Sequence, residues 1–343
     1  MERGLTRRRL LEAAGAGVAL AGLPPGALAA AAKPRHQAGI ATPEQPRLLF
    51  AALDANAANR GELRQLMKDW TATARKLSTH GRTITFGFGP SLFDKYSLDR
   101  PQPLQPLPAF AGDQLDPAKC DGDLAIQICG DHVDVLDHFA GAEVRWAVHG
   151  HHRKDRRNNL GFKEGANNIA PDDPVAMKHS VWVGAHDKPG WMRGGSYLVA
   201  RRIRLNLDDW NATPVHRQER VIGRHKRSGA PLGGHHEYDQ ADFDAGVTSG
   251  DPVIPTDAHI RLASPEANGG KMLLRRSYNY EGGLLFLAYQ RNPRQFIGIQ
   301  RRLGQHDDAL SSFIVHEGSA LFAMPPAPGP KPDGFIGDGL LVR

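Results

Sequence analysis

The sequence predicts an α+β protein made of two ferredoxin-like domains, a duplicated β-α-β-β-α-β arrangement. Three observations carry this. Strand-type and helix-type segments follow one another in that order over residues 36–160. The same order returns over 195–326. Gly- and Pro-containing stretches at 161–194 and 225–270 separate the two runs and interrupt the second, and they are too long for simple connections.

The first run opens on Arg47-Leu48-Leu49-Phe50-Ala51-Ala52-Leu53, short and apolar enough for a buried strand. Leu63, Leu66, Met67, Trp70 and Ala74 then recur at three-to-four spacing, the period of a helix packed on one face, over about 60–77. Thr83–Phe88 is rich in β-branched and aromatic residues and reads as a strand. A Pro-rich loop over 100–110 leads to a strand at 123–129, a helix near 131–140 and a strand over Glu143–Val148. In the second run Ser196–Leu205 is a strand, followed by a helix over 213–222. Strands at 272–277 and Gly283–Tyr289, a helix near 293–303 and a short strand at 319–323 complete it. The 46 residues of 225–270 imply a task, since compact domains rarely carry such a connection idle. Lining a large bound group is one such task.

Residues 1–32 read as an address. Thr6-Arg7-Arg8-Arg9-Leu10-Leu11 fits a twin-arginine signal, the run Ala13–Leu23 is apolar, and Ala27, Ala29 and Ala31 offer A-x-A cleavage sites. The apolar run is too short to span a bilayer and ends in Pro24-Pro25, so no stable membrane anchor is expected. Export through the twin-arginine translocase, to the periplasm or the extracellular medium, is the expectation. That route carries folded protein, which favours a cofactor loaded before export. Residues 327–343 lack periodicity and read as an extended, solvated tail, with Phe335 and Ile336 its docking points.

The formal charge is +6, or about +4 without the leader, with no basic tail or aromatic-interleaved basic stripe. Nucleic acid is excluded as a partner on that ground, and homo-oligomer formation is left open. The two cysteines, Cys120 and Cys129, flank a strand-like segment. Nine extended residues span about 30 Å, whereas a disulfide needs Cα atoms within about 7 Å, so both are expected as free thiols.

Composition does not select among sixteen histidines. His149, His151 and His152, and the pair His235 and His236, lie among Gly, Arg and Lys and read as solvated. No HExxH, CxxC pair or DxDxDG loop is present, so zinc-hydrolase and calcium readings lack support. His259 differs. It sits in Asp257-Ala258-His259-Ile260-Arg261, where irregular chain gives way to order. Two further stretches carry chemistry: Gly161-Phe162-Lys163-Glu164-Gly165-Ala166-Asn167-Asn168, a carboxylate between glycines, and Leu274-Arg275-Arg276.

These three stretches resemble the dye-decolourising peroxidases, and specifically their exported subgroup. The resemblance extends to His36-Gln37-Ala38-Gly39-Ile40-Ala41-Thr42-Pro43, Gln218–Arg224, Gly229-Ala230-Pro231-Leu232, Tyr289-Gln290-Arg291 and Gly318–Phe322. It runs in register from residue 36 to about 326. It implies haem b, held mainly by the second domain, with His259 as the axial iron ligand. Glu164 falls at the distal carboxylate and Arg275 at the distal arginine, with Arg276 one position away. Gly161, Phe162, Lys163, Gly165 and Arg261 flank these positions and are expected beside the cofactor. The family motif GxxDG carries aspartate where this chain has Glu164.

The chemistry fits these roles. A distal base takes a proton from hydrogen peroxide and returns it to the departing oxygen. A guanidinium steadies the negative charge that develops there. A carboxylate on the second nitrogen of the axial histidine raises its basicity, and Asp257 and Asp307 both qualify. The longer side chain of Glu164 reaches about 1.5 Å further than aspartate, which implies a working but altered site. The expected activity is reduction of hydrogen peroxide with one-electron oxidation of phenolic or dye-like donors. Trp191, Trp210, Tyr197, Tyr238 and Tyr278 are the candidates for electron transfer at the surface. Deferrochelation (iron removed from haem with the porphyrin intact) and haem carriage without turnover are the alternatives.

Overall fold

Leu48–Leu53 is apolar at every position, and a strand of that kind must be covered on both faces. In the computed structural model, which describes residues 36–79, 81–329 and 333–342, this run lies in the central strand β1 (Arg47–Ala55). The antiparallel strands β3 (Leu124–Gly130) and β4 (Ala142–His151) flank it, and β2 (Arg82–Phe88) pairs on the far side of β3. The order β2-β3-β1-β4 is that of a ferredoxin-like sheet. In the second half β5 (Ser196–Leu205) is central, with β6 (Leu274–Arg275) and β7 (Tyr278–Tyr280) both on β8 (Gly283–Gln290), and β9 (Ile314–Met324) on the other flank. The duplication expected from the sequence is therefore present in strand order. Phe88↔Ala323 and His151↔Asn279 join the two sheets at both edges, so nine strands form one path that returns on itself.

The two-residue period of the strands splits the core. Leu49, Ala51 and Leu53 face outward with Tyr197 and Val199, under the helices. Leu48, Phe50 and Ala52 face inward, where they meet Leu198, Ala200, Leu287 and Phe322 of the second half. The rings of Phe50 and Phe322 are 6.1 Å apart. The halves share an interior, and residues 34–343 form one compact unit.

The helices are α1 (Arg60–Leu77), α2 (Pro90–Lys95), α3 (Pro174–Ser180), α4 (Leu207–Ala212), α5 (Val215–Ile222), α6 (His259–Leu262), α7 (Arg294–Gln305) and α8 (Asp338–Leu341). Asn59 caps α1 by accepting from the Glu62 amide at 3.0 Å, and Leu63, Met67, Trp70 and Ala74 are buried as their spacing predicts. Among these, α2, α3, α4, α6 and α8 are short and lie outside the expected helices. Residues 1–32, expected to be a leader, lie outside the described residues. Among those described, no helix is long and apolar enough to cross a membrane.

Three expectations are corrected. The helix near 131–140 is a loop with one tight turn at Leu136–His138. Phe139 is held edge-on to Trp70 and Phe86, and the Trp70 indole donates to the Ala140 carbonyl at 2.8 Å, so tertiary contacts fix this segment without a helix. The strand expected at 272–277 shrinks to the two residues of β6, and β7 begins only at Tyr278; Arg276 between them is 1 % exposed. The tail is docked rather than solvated. Phe335, Ile336, Leu340 and Leu341 are buried, the Ile336 amide donates to Thr71 Oγ1 at 3.0 Å, and Arg64 donates to the Leu341 carbonyl at 2.7 Å. Phe335 and Ile336 are docking points, as expected. Phe335→Ala is expected to cost about 3–5 kcal/mol of stability, measured by urea unfolding of the mature protein. A change within experimental error would mean that the tail contributes nothing.

Candidate active site

Helix α5 ends at Gly223, whose φ of +92° is open to glycine and costly for other residues. The chain then leaves the second sheet until Leu274. A buried and a half-buried cation hold this excursion by its carbonyls: Arg224 donates to Gly229 at 2.7 Å and Glu237 at 3.0 Å, and the half-buried Arg261 donates to Ile254 at 2.7 Å. His259 opens the short α6 within it. Its Nδ1 lies 2.8 Å from Oδ2 of Asp308, whose side chain is 2 % exposed. The second oxygen of Asp308 accepts from the Leu310 amide at 3.1 Å. The imidazole partner is thus Asp308 and neither Asp257 nor Asp307. Asp257 contributes only its carbonyl, which accepts from the Ala309 amide at 3.0 Å, while Asp307 makes the turn with φ of +52°. Burial opposes a charged His259, but Asp308's charge and hydrogen bond outweigh it and raise the imidazole's pKa above its ordinary value. With Nδ1 committed to a carboxylate, Nε2 is the nitrogen left to bind a metal.

The carboxylate loop is shaped by Asn158, whose Oδ1 accepts from the amides of Leu160 and Phe162, each at 3.1 Å. The Glu164 amide donates to the Arg156 carbonyl at 2.9 Å. Asn168 then clamps the loop to β6. Its Oδ1 accepts from the Arg275 amide at 2.9 Å and its Nδ2 donates to the Arg275 carbonyl at 2.8 Å. Arg275 in turn donates from Nη2 to the Ala166 carbonyl at 3.0 Å.

Glu164, Arg275 and His259 influence one another's charge, so the fold brings the three together. Burial raises the Glu164 carboxyl above the usual carboxylate range, against the opposing pull of Arg275 and Asn158. Burial lowers Arg275, against the pull of Glu164 and Glu44. Their side chains do not close into an ion pair, although both border the same cavity. Glu164, Gly165, Arg275 and Arg276 border a cavity of about 950 Å³ whose other walls include Glu44, Arg156, Arg224, Tyr238, Phe243 and Ile260. That is near the upper end of small-molecule sites, roughly 300–1,000 Å³.

The remaining expected residues are dispersed. Gly165 borders the cavity with open space where a Cβ would stand, whereas Gly161 backs on Lys226, whose Cε would lie 2.6 Å from such a Cβ. Phe162 is 3 % exposed in a cluster with Trp210, Lys163 pairs with Glu237 at 2.5 Å, and Arg261 lies over Phe243. Arg276 donates from Nη1 to the Thr42 carbonyl, and its Nε and Nη2 are buried without partners. Of the five aromatics expected at the surface, Trp191, Trp210, Tyr197 and Tyr278 are core, and Tyr238 is 81 % exposed beside the cavity. His149 and His151 lie on β4, not in a loop, and are exposed there, and among the described residues no cluster of His, Cys, Asp or Glu could hold a metal ion. Cys120 and Cys129 are free. Sequence reasoning missed Asp308, Glu44, Arg156 and Arg224. For Asp308 a signal existed, because Asp308-Ala309-Leu310-Ser311 is a helix-capping pattern.

The donor set suits a haem: an imidazole nitrogen backed by a carboxylate, a carboxylate and a guanidinium on one cavity wall, and a cavity wide enough for a macrocycle. A duplicated ferredoxin-like fold carrying these groups defines a class of haem peroxidase. The N-terminal model of the Dyp-type peroxidase family matches residues 37–152 and the C-terminal model matches residues 155–328. The chain belongs to the DyP-type peroxidases; it is an enzyme of that family and haem is its cofactor. It is 38 % identical over 291 residues to the dye-decolorizing peroxidase of Thermobifida fusca, covering 75 % of this chain and 67 % of that one. It is 32 % identical to the deferrochelatase of Escherichia coli over 419 aligned positions, covering 98 % and 97 %. Ferric DtpA from Streptomyces lividans superposes with a TM-score of 0.82 at 36 % identity, covering 90 % of this chain and 96 % of that one. Asn168→Ala removes both bonds of the loop clamp and is expected to lower stability by about 1–3 kcal/mol. Thermal unfolding of the haem-free protein measures this, and an unchanged midpoint would show that the loop is held otherwise.

Proposed function

We propose that this chain reduces hydrogen peroxide to water and oxidises small phenolic or dye-like donors in two one-electron steps. Each peroxide takes up two electrons and two protons. The observation that supports this reading most directly is the convergence of three distant segments: Glu164 and Arg275 border one cavity, and both act electrostatically on His259. Haem, when bound, supplies the iron at which peroxide is reduced. His259 would hold it through Nε2, with Asp308 keeping the proton on Nδ1 and the ring in place. Glu164 accepts a proton from peroxide and hands it to the departing oxygen, and its raised proton affinity suits it to both halves of that task. Arg275 remains charged throughout and steadies the developing anion. The extra methylene of Glu164 is accommodated by the Asn158 turn, on this reading, without loss of the acid–base role. Tyr238 is the exposed aromatic placed to pass electrons from donors too bulky to enter.

The leader supports export by the twin-arginine translocase and residence in the periplasm or outside the cell. The similarity to deferrochelatases over nearly the whole chain favours a second reading, release of iron from haem with the porphyrin intact. Chromatography of the reaction products separates the two: free protoporphyrin supports iron release, and unchanged haem with oxidised donor supports the peroxidase.

Two predictions test the residue roles. His259→Ala is expected to abolish stable haem binding, seen as loss of the Soret band. Arg275→Ala is expected to keep the band while slowing peroxide consumption about 10²–10³-fold. Retained haem in the first variant or an unchanged rate in the second would sink the corresponding role. The pH dependence follows from Glu164. Because burial raises its pKa, the ionised base is lost as pH falls through a midpoint above the ordinary glutamate value of about 4.3. Stopped-flow rates of peroxide reaction should therefore rise with pH through that midpoint in the parent and lose this limb in Glu164→Gln.

A further inference from the structure

A second carboxylate lies on the cavity wall. Glu44 stands in the loop before β1, and its Oε2 accepts from Nη2 of Arg156 at 2.8 Å. The same Arg156 accepts the Glu164 amide on its carbonyl at 2.9 Å. One residue thus holds Glu44 by its side chain and Glu164 by its main chain. Arg156 does so with φ of +58°, a conformation that side-chain-bearing residues rarely adopt. All three border the same cavity. We propose that Glu44 and Arg156 are positioning residues that set how firmly Glu164 holds its proton. This rests on the reading of Glu164 as the group that exchanges protons with peroxide, but concerns only the charge around it.

The groups that face Glu44 are accounted for. Arg156 pairs with it, and its side chain is otherwise 56 % exposed. His152 Nε2 lies 3.7 Å from its Oε2; burial pushes that imidazole down to about 4, so it carries no charge at neutral pH. Glu164 and Arg275 act on it across the cavity, where Arg276 is a further cation. On the buried side stand the Cys129 thiol and the Tyr278 hydroxyl, both held protonated by burial. Among these, the anionic Glu44 makes ionisation of Glu164 harder and the cationic Arg156 makes it easier. Their pairing cancels most of either effect. Removing one partner leaves the other unopposed, and the two removals act in opposite directions.

The test uses the haem-loaded mature protein and its haem-free form. Infrared titration follows the protonated carboxyl band that disappears in Glu164→Gln. Glu44→Gln is expected to lower the titration midpoint of that band by about 0.5–1 pH unit, and Arg156→Gln to raise it by a similar amount. Normal Soret bands after loading confirm that both variants fold. Midpoints that stay put, or that move in the same direction in both variants, would overturn the proposal. Opposite shifts in the band without a matching shift in the peroxide pH profile would uphold it, and would instead remove Glu164 from the peroxide step.

Discussion

The site depends on a stretch of chain that is rigid without being regular. Between Gly223 and Leu274 the backbone lies in neither sheet, and its amides and carbonyls must still find partners once water is excluded. Side chains supply them. Arg224 and Asn268 from buried positions, and Arg261 from a half-buried one, donate to carbonyls of the excursion, and Asp239 accepts from the amides of His235 and His236. A guanidinium with several fixed donors suits this task, because one residue can secure two turns at once. The result is a wall that carries His259 on one side and the cavity-lining residues Glu237–Ala241 on another.

Two carboxylates at this site take opposite characters from their surroundings. Asp308 is almost wholly enclosed, but a backbone amide and an imidazole hydrogen-bond both its oxygens. Glu164 has the weaker compensation of a nearby Asn158 and a cation that stops short of pairing, so burial dominates and its proton affinity rises. A group that must give and take a proton gains from that imbalance, whereas one that must hold a ring in place gains from full satisfaction.

The duplicated halves are less separable than their repeat suggests. Inward-facing residues of β1 and β5 pack into one cluster, and edge pairings at Phe88 and His151 join the sheets. The loop bearing Glu164 is clamped to β6 by Asn168, so this carboxylate is held by the same half that carries His259. Placement of the three site residues is therefore a property of the joined unit.

Much of this was written in the chain. Period-3.6 spacing located α1 and α7, and apolar runs located β1, β5 and β8, since a side chain's burial preference repeats with the geometry of its own element. The resemblance of three motif stretches to the dye-decolourising peroxidases, and not composition or spacing, singled out Glu164, His259 and Arg275. Tertiary structure alone decided the rest. Phe139 abandoned a local helix for contact with Trp70, Arg276 between β6 and β7 was buried, and the apolar end of the tail docked on α1. Asp308 rather than either nearby aspartate reached the imidazole, because the left-handed turn at Asp307 swings its neighbour inward. Local sequence fixes which conformations a segment favours. Which of several equivalent side chains meets a distant partner is set only when the chain closes on itself.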